Sequence, residues 1–281
     1  MTHVDAVAEE LVDQGRYPLA DLAGAGGRAV IADGRAQLSA TGAAELPGFI
    51  SPEALDRLVA DAEALAPRAH HSGGVGTAYL EIPDFSLPGD HPRLHFGPYA
   101  VGAVGYDVIP RSSPLRRLYE SDAVLGLIAA ILDRGLLYRY ADPFGALNLS
   151  VMAEGDELQW HFDQTDFVVS LAIQSAAGGG DFEVAPRIRR ADDECYPAVA
   201  RVLAGEREPV MTLPMTPGTL LIFEGRHSLH RVSPVAGDRL RHVGLLAYDT
   251  APGTVGSDRL RMDRYGRKAA FPDPPDRWPP G

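Results

Sequence analysis

Cysteine is almost missing from this chain, with Cys195 the only one in 281 residues. A single thiol excludes an intrachain disulfide and any cysteine-built metal or iron–sulfur centre, and Cys195 reads as a packed or incidental side chain. Long apolar runs are also lacking, and none approaches the roughly 18 residues that a membrane-spanning helix needs. Residues Met1 to Gln14 carry acidic groups and no basic stretch ahead of an apolar core. A signal peptide is therefore not expected, and a cytoplasmic location is. Positive charge is in deficit: the net charge is −12 and the pI is near 5.1. That balance argues against nucleic acid or an anionic membrane as partner and leaves a small-molecule substrate as the expected one. It does not specify an oligomeric state. No internal repeat is present. The run Ala23-Gly24-Ala25-Gly26-Gly27 is not followed by Lys-Ser/Thr and sits in no strand–GxGxxG–helix unit, so a flexible turn is expected there instead of a phosphate cradle.

What the chain does have is the composition of a globular protein, 45% hydrophobic and 23% charged. It is also rich in Gly (30) and Pro (23), which favours many turns between short strands. Val4 to Gln14 suggests a short helix. Ser51-Pro52 supplies an N-cap and a first-turn proline, and Leu55, Leu58, Val59, Ala62 and Leu65 then recur at helical spacing. Ser113-Pro114 opens a second helical region, and Asp122 to Leu132 is apolar on most of its circumference. Residues 67–112 read as a long loop that could wall or cover a site. From 136 onward short apolar runs alternate with Gly/Pro turns: Leu136–Tyr140, Ala146–Met152, Phe167–Gln174, Asp181–Val184, Val210–Leu213, Thr219–Phe223 and His242–Tyr248. Tyr196–Leu203 interrupts them as a short surface helix. The predicted fold is mainly β, a sandwich or jelly roll braced by N-terminal helices. The proline-rich tail, Phe271 to Gly281, is expected to be extended and loosely held.

Chemistry concentrates in Trp160-His161-Phe162-Asp163 and Ser228-Leu229-His230-Arg231-Val232. Residues two apart on a strand share a face, so His161 and Asp163 can converge on one ion. His230 supplies a second imidazole if the fold returns it to the same mouth. Two histidines and one carboxylate, with positions left open, form the facial triad of non-haem Fe(II) oxygenases. A lone His-x-Asp is a weak signal; its order relative to the second histidine and the surrounding apolar strands strengthens it. His227 competes with His230, which is preferred because Leu229 and Val232 look like a strand. His242 reads as a packed or surface histidine, and His70, His71, His91 and His95 as loop histidines. Arg239 and Arg241 share one face of the last long strand, and either could hold a carboxylate by paired hydrogen bonds. Arg241 is preferred because the apolar run starting at Val243 places it deeper. Alternation puts Asn148, Ser150 and Met152 on one face, so Asn148 points either at a ligand or at a neighbouring loop. Gln164, Arg93, His95 and Tyr99 are further candidate substrate contacts.

An ordered set of motifs resembles the Fe(II)/2-oxoglutarate-dependent dioxygenases over residues 46–250. It comprises Leu46-Pro47-Gly48-Phe49-Ile50-Ser51, Gly155, His161-Phe162-Asp163, and His230-Arg231-Val232-Ser233-Pro234-Val235 with Gly237-Asp238-Arg239 behind it. The resemblance implies a double-stranded β-helix core with iron held by His161, Asp163 and His230. It also implies 2-oxoglutarate bound to that iron and salt-bridged to Arg241 or Arg239, with O2 as the third cofactor. It further implies one domain over 1–281, with a helical, lid-rich part at 1–135, a jelly-roll core at 136–250 and a C-terminal extension at 251–281. Met152 departs from the pattern of prolyl-hydroxylase-like members, which carry Tyr there. The turn between His230 and the Gly-x-Arg is one residue shorter than is common.

More narrowly, Ala141-Asp142-Pro143 through Asp249 looks like the bacterial group that contains free-amino-acid hydroxylases and their halogenase relatives. The halogenases have Gly in place of the carboxylate ligand; here Asp163 is present, so hydroxylation of an amino-acid-like substrate is expected. Desaturation or cyclisation on the same scaffold is the first alternative. A non-redox, cupin-like metal-binding protein is the second, and a purely structural module the third.

Overall fold

The computed structural model describes residues 8–272. The expected helix at Val4 to Gln14 therefore lies partly outside the described residues, with residues 8–11 helical, and the expected extended tail lies almost wholly outside them. The first half of the chain holds α1 (Ala25–Thr41), β1 (Ala43–Leu46), α2 (Pro52–Leu65), β2 (His70–Thr77), β3 (Phe96–Gly105), α3 (Pro114–Glu120) and α4 (Asp122–Ile131). Strands then follow in quick succession: β4 (Tyr138–Arg139), β5 (Leu147–Met152), β6 (Leu158–His161), β7 (Val168–Gln174), β8 (Gly178–Gly179) and β9 (Phe182–Ala185). After α5 (Tyr196–Leu203) come β10 (Met211–Leu213), β11 (Leu220–Phe223), β12 (Leu229–Val232), β13 (Val235–Ala236), β14 (Arg241–Leu246) and β15 (Tyr248–Asp249). The helix α6 (Asp258–Tyr265) closes the described chain. Among the described residues, no helix is long and apolar enough to cross a membrane.

Eleven of the strands form one curled antiparallel sheet in the order β1-β11-β7-β14-β5-β3-β6-β12-β9-β10, with β2 paired to β3, while β8 pairs with β13 and β4 with β15 in two small sheets of their own. The curl brings β6, β12, β9 and β10 over β14, β5 and β7, which is the jelly-roll arrangement the sequence predicts. Side-chain alternation gives the sheet two faces. Outward, Leu147, Leu149 and Val151 of β5, Val169 and Leu171 of β7 and Leu220 and Ile222 of β11 join one core with α2, α3 and α4. Each fully buried side chain of this kind contributes about 1.5–3 kcal/mol by leaving water. Inward, Met152, Val101, Leu221, Phe223, Phe182, Val184 and Val232 form a second cluster inside the curl. The helices start as their sequences predict: Ser51, Ser113 and Ser121 hydroxyls accept from the amides of Ala54, Arg116 and Val124 at 3.3, 3.4 and 3.3 Å.

Two expectations change. Residues 25–27 are the first turn of α1, not a flexible turn. Gly27 lets that turn lie on Leu22, where a Cβ would come within 2.4 Å of the Leu22 Cα, and Gly34 lets α1 approach Ile131 of α4. The long loop expected at 67–112 contains the β2–β3 hairpin, and β3 is an interior member of the sheet that links its two halves. Strands from residues 43–105 therefore join those of 136–250 in one sheet. The segment after 251 contributes α6, which packs on β2 and β3.

Candidate metal centre

Strand β6 ends at His161, and the turn after it delivers Asp163 while Phe162 points to the opposite side. There the Phe162 ring packs on Tyr79 at 5.1 Å between centroids, under the Arg189 guanidinium at 4.0 Å. Strand β12 pairs with β6 so that His230 lies opposite His161. The two rings are 4.2 Å apart by centroid. The Asp163 carboxylate reaches both, with Oδ2 at 3.3 Å from His230 Nε2 and Oδ1 at 3.9 Å from His161 Nε2. One donor atom from each of the three residues lies within 4.8 Å of the others. His227 is not part of the trio.

The surroundings prepare these atoms for a cation. Nδ1 of His161 bonds to the Gln159 carbonyl at 2.7 Å, and Nδ1 of His230 to the Ser228 carbonyl at 2.8 Å. A carbonyl only accepts, so each Nδ1 carries the proton and each Nε2 presents a bare lone pair toward Asp163. Burial, with the His230 charge next, holds the His161 pKa down at about 4, which keeps that imidazole neutral. Among the described residues, Asp163 Oδ2 is buried without a hydrogen-bond partner. An orphaned carboxylate oxygen facing two lone pairs is unfavourable as it stands and is satisfied by a divalent ion. The residues present thus fit iron.

Backbone contacts fix the carboxylate. The Asp163 amide donates to the Gly225 carbonyl at 3.1 Å. Arg226 ties the same turn down through Asp166, at 2.6 Å, and the Gln164 carbonyl. A Cβ on Gly225 would sit 2.0 Å from Asp163 Oδ2. On the far side of His230, the Phe223 and Phe182 rings stand at 5.0 and 5.6 Å.

Phe182 also lines a cavity of about 290 Å³ shared with Gln174, Asp181, Thr212, Thr216 and Arg241. Arg241 enters it from β14, only 7% exposed. Among the described residues it has no carboxylate partner, and its Nη1 donates to Met152 Sδ at 3.7 Å. Burial pulls its pKa down to about 10, a measure of the cost of an unpaired cation here. Gly180, in the left-handed region at φ +67°, passes beneath Arg241, where a Cβ would lie 2.9 Å from its Cδ. Arg239 is spent elsewhere, donating to the Ser175 and Ala176 carbonyls at 2.8 Å each.

The remaining candidates are scattered. Asn148 lies on the inward face, in register with Gly105 and Leu245, half-buried. Gln164 Nε2 donates to the Tyr79 carbonyl at 3.0 Å. Arg93 is engaged by the Tyr196 hydroxyl, Glu81 and Glu194 at 2.9, 2.5 and 3.5 Å, so its guanidinium is a brace for the 78–95 connection. His95 is half-buried in that connection, where desolvation lowers its pKa. Tyr99 lies against Gly74. Of the loop histidines, His71 pairs with Asp156 at 2.8 Å and His91 accepts from the Arg93 amide at 3.2 Å. Sequence reading missed Phe182, Phe223, Gly180 and Gly225. The Gly178-Gly179-Gly180 run predicts a turn and nothing more.

Comparison with known structures finds the same fold at low identity. AviO1 from Streptomyces viridochromogenes Tue57 superposes with a TM-score of 0.54 at 20% identity, covering 79% of this chain and 96% of that one. A prolyl hydroxylase from Trichoplax adhaerens, in complex with a hypoxia inducible factor oxygen degradation domain peptide, gives 0.52 at 14% identity, over 78% and 89%. An oxidoreductase of the 2OG-Fe(II) oxygenase family from Burkholderia pseudomallei gives 0.50 at 17%, over 79% and 92%. No curated protein matches. The fold is that of the 2-oxoglutarate–Fe(II) oxygenases, and His161, Asp163 and His230 supply the donor set of a facial-triad iron site. The family model described as Halogenase D matches residues 90–255, more than half of the sequence, and the chain belongs to that family.

Proposed function

We propose that this protein hydroxylates an unactivated C–H bond of a small, amino-acid-like molecule, with His161, Asp163 and His230 as iron ligands and 2-oxoglutarate as cosubstrate. The observation that carries the reading is Asp163, whose unpartnered Oδ2 faces two imidazoles with bare Nε2 atoms. Iron and 2-oxoglutarate, when bound, supply the activation of O2; overall, substrate, 2-oxoglutarate and O2 become hydroxylated substrate, succinate and CO2.

The chain's own part is positional. The Gln159 and Ser228 carbonyls hold both rings in one tautomer and orientation. Phe182 and Phe223 keep water from one flank of His230. Arg241 takes the distal carboxylate of 2-oxoglutarate by paired hydrogen bonds, and the soft Met152 sulfur holds the guanidinium where prolyl-hydroxylase-like proteins carry Tyr. Asn148 and Gln164 border the substrate side. A carboxylate ligand at 163 fills the place that halide takes in the halogenase relatives, so oxygen transfer is the outcome this chain's residues favour, whatever its family is called.

Anaerobic Fe(II) with 2-oxoglutarate should give a weak visible charge-transfer band in the wild type and none in His161→Ala. Arg241→Met should need roughly tenfold to a hundredfold more 2-oxoglutarate for the same band. A screen of free amino acids and small peptides, scored by succinate release, should then give a product heavier by one oxygen. Wild-type succinate formation by Asp163→Ala would sink the iron assignment. A product lighter by two hydrogens would replace hydroxylation with desaturation or ring closure and keep the class.

A further inference from the structure

Residues 159–164 carry two members of the trio, and three hydrogen bonds fasten them to residues 76–79 of the β2–β3 hairpin. Gln159 Nε2 donates to the Gly76 carbonyl at 2.6 Å, the Phe162 amide to the Ala78 carbonyl at 2.9 Å, and Gln164 Nε2 to the Tyr79 carbonyl at 3.0 Å. The bonds alternate with the ligands: one precedes His161, one falls between His161 and Asp163, and one follows Asp163. The Phe162 ring adds a fourth contact, packed on Tyr79, which is itself fully buried. Neither His161 nor Asp163 can shift far without breaking a bond to the hairpin.

Gln159 is the least expected of these residues. It is buried, and its amide lies in a slot floored by Gly76 and Gly97, where a Cβ on Gly97 would overlap it. Its Oε1 is buried with no hydrogen-bond partner among the described residues. An orphaned buried acceptor is destabilising, and an apolar side chain of the same length would avoid that cost. In exchange the residue makes two bonds, from Nε2 to Gly76 and from the His161 Nδ1 to its own carbonyl at 2.7 Å. Gln159 thus joins the hairpin to the ring of a metal ligand within one residue. Past Tyr79 the chain turns through Leu80, a bulky residue in the left-handed region at φ +52°. It then runs exposed to Asp90, apart from the half-buried Pro83 and Leu87, with Ile82 and Phe85 79% and 78% exposed. Its return is pinned by Arg93, on Tyr196 and Glu194, and by the His95 carbonyl, which accepts from the Ala78 amide at 3.1 Å. The connection is free in its middle, and its stem holds the ligand-bearing segment.

We propose that Gln159 and Gln164 are positioning residues through which the 78–95 connection and the metal trio fix each other's geometry. The inference rests on the reading of His161, Asp163 and His230 as a metal site, and adds a mechanical link between that site and an exposed strap. Linkage makes the coupling reciprocal: if the connection helps to hold the trio, metal in the trio must help to hold the connection.

The test uses the full chain, first metal-free and then loaded with Co(II), whose visible bands report ligand geometry. Chymotrypsin cleavage at Phe85, located by mass spectrometry, should slow roughly tenfold when the wild type takes up Co(II). Gln159→Met and Gln164→Met keep the length of the side chain and remove its amide. Each should bind Co(II) roughly tenfold to a hundredfold more weakly. Each should also alter the visible bands and lose the protection at Phe85, while the metal-free protein unfolds as the wild type does. The proposal is overturned if both variants keep wild-type Co(II) affinity and bands, or if Co(II) leaves cleavage of the wild type unchanged. It is overturned equally if the metal-free variants lose stability while the Co(II) bands stay the same, since the two residues would then be merely structural. Should one variant fail to fold, the other reads the same link from the opposite end of the segment, and protection in the wild type decides without either. A wild type that binds no Co(II) would instead remove the metal reading on which the proposal stands.

Discussion

Gly225 shows how much of this site is set by volume. Its backbone carbonyl accepts from the Asp163 amide at 3.1 Å, which draws the two segments so close that no side chain fits between them. A methyl group there would fall 2.0 Å from Asp163 Oδ2 and 2.8 Å from its Cγ. Gly225→Ala should therefore turn the carboxylate away from the two imidazoles while leaving β11 and β12 intact. Metal affinity should drop by roughly tenfold to a hundredfold, the range seen when residues that orient metal ligands are changed. Fe(II) or Co(II) titration of the variant checks this, and wild-type affinity would show that the 163 turn yields instead. Arg241 has the same character: Gly180 is the surface over which it passes, and Met152 Sδ accepts from its Nη1 at 3.7 Å.

At the scale of elements, α1 meets α4 where Gly34 faces Ile131, with a Cβ at Gly34 already within 3.0 Å of the Ile131 side chain. Gly34→Leu should force the helices apart and cost about 1–3 kcal/mol, the usual penalty for overpacking. Urea unfolding measures it, and an unchanged midpoint would mean that the α1–α4 contact is not tight. This packing also explains what could be read from the sequence. Helices α2, α3 and α4, and strands β5, β7, β11 and β14, bury large aliphatic side chains on one face, so their periodicity was visible. The buried residues of α1 are Gly27, Gly34 and Leu38, which leave no apolar stripe. Strand β2 has three glycines and mostly exposed side chains, and α6 buries only Tyr265. Neither pattern announces its element. The trio was legible because histidine and aspartate are chemically distinctive, and Arg241 because alternation pointed it inward. Arg93 misled, since Glu81, Tyr196 and Glu194, which occupy its guanidinium, meet it only in the folded chain.

For the molecule as a whole, the sheet has one acid-sensitive point remote from the ligands. His242 is fully buried on the helix-facing side of β14, and among the described residues neither ring nitrogen has a hydrogen-bond partner. Burial lowers its pKa from 6.5 to about 4. Below pH 6.5 the unfolded chain takes up a proton that the folded chain refuses. Stability is therefore complete above that pH and falls as the medium acidifies toward 4, by about 3 kcal/mol if this residue acts alone. His242→Leu, which removes two unsatisfied nitrogens at similar volume, should flatten that slope without lowering stability at neutral pH. Thermal unfolding from pH 7 to 4 decides it, and equal slopes in both proteins would rule His242 out as the cause.

Helix α6 contributes little to the hydrophobic interior, with Tyr265 its one buried side chain. Ion pairs from Arg261 to Asp142 and from Arg267 to Asp107 fasten it to the rest. The metal trio sits instead on two strands of the continuous sheet, β6 and β12, and on the turn that follows β6. Polar contacts thus hold α6 to the sheet, whereas apolar burial holds the sheet to α2, α3 and α4. Descendants of this sequence could exchange the outer helix while the strands that carry the trio passed on unaltered.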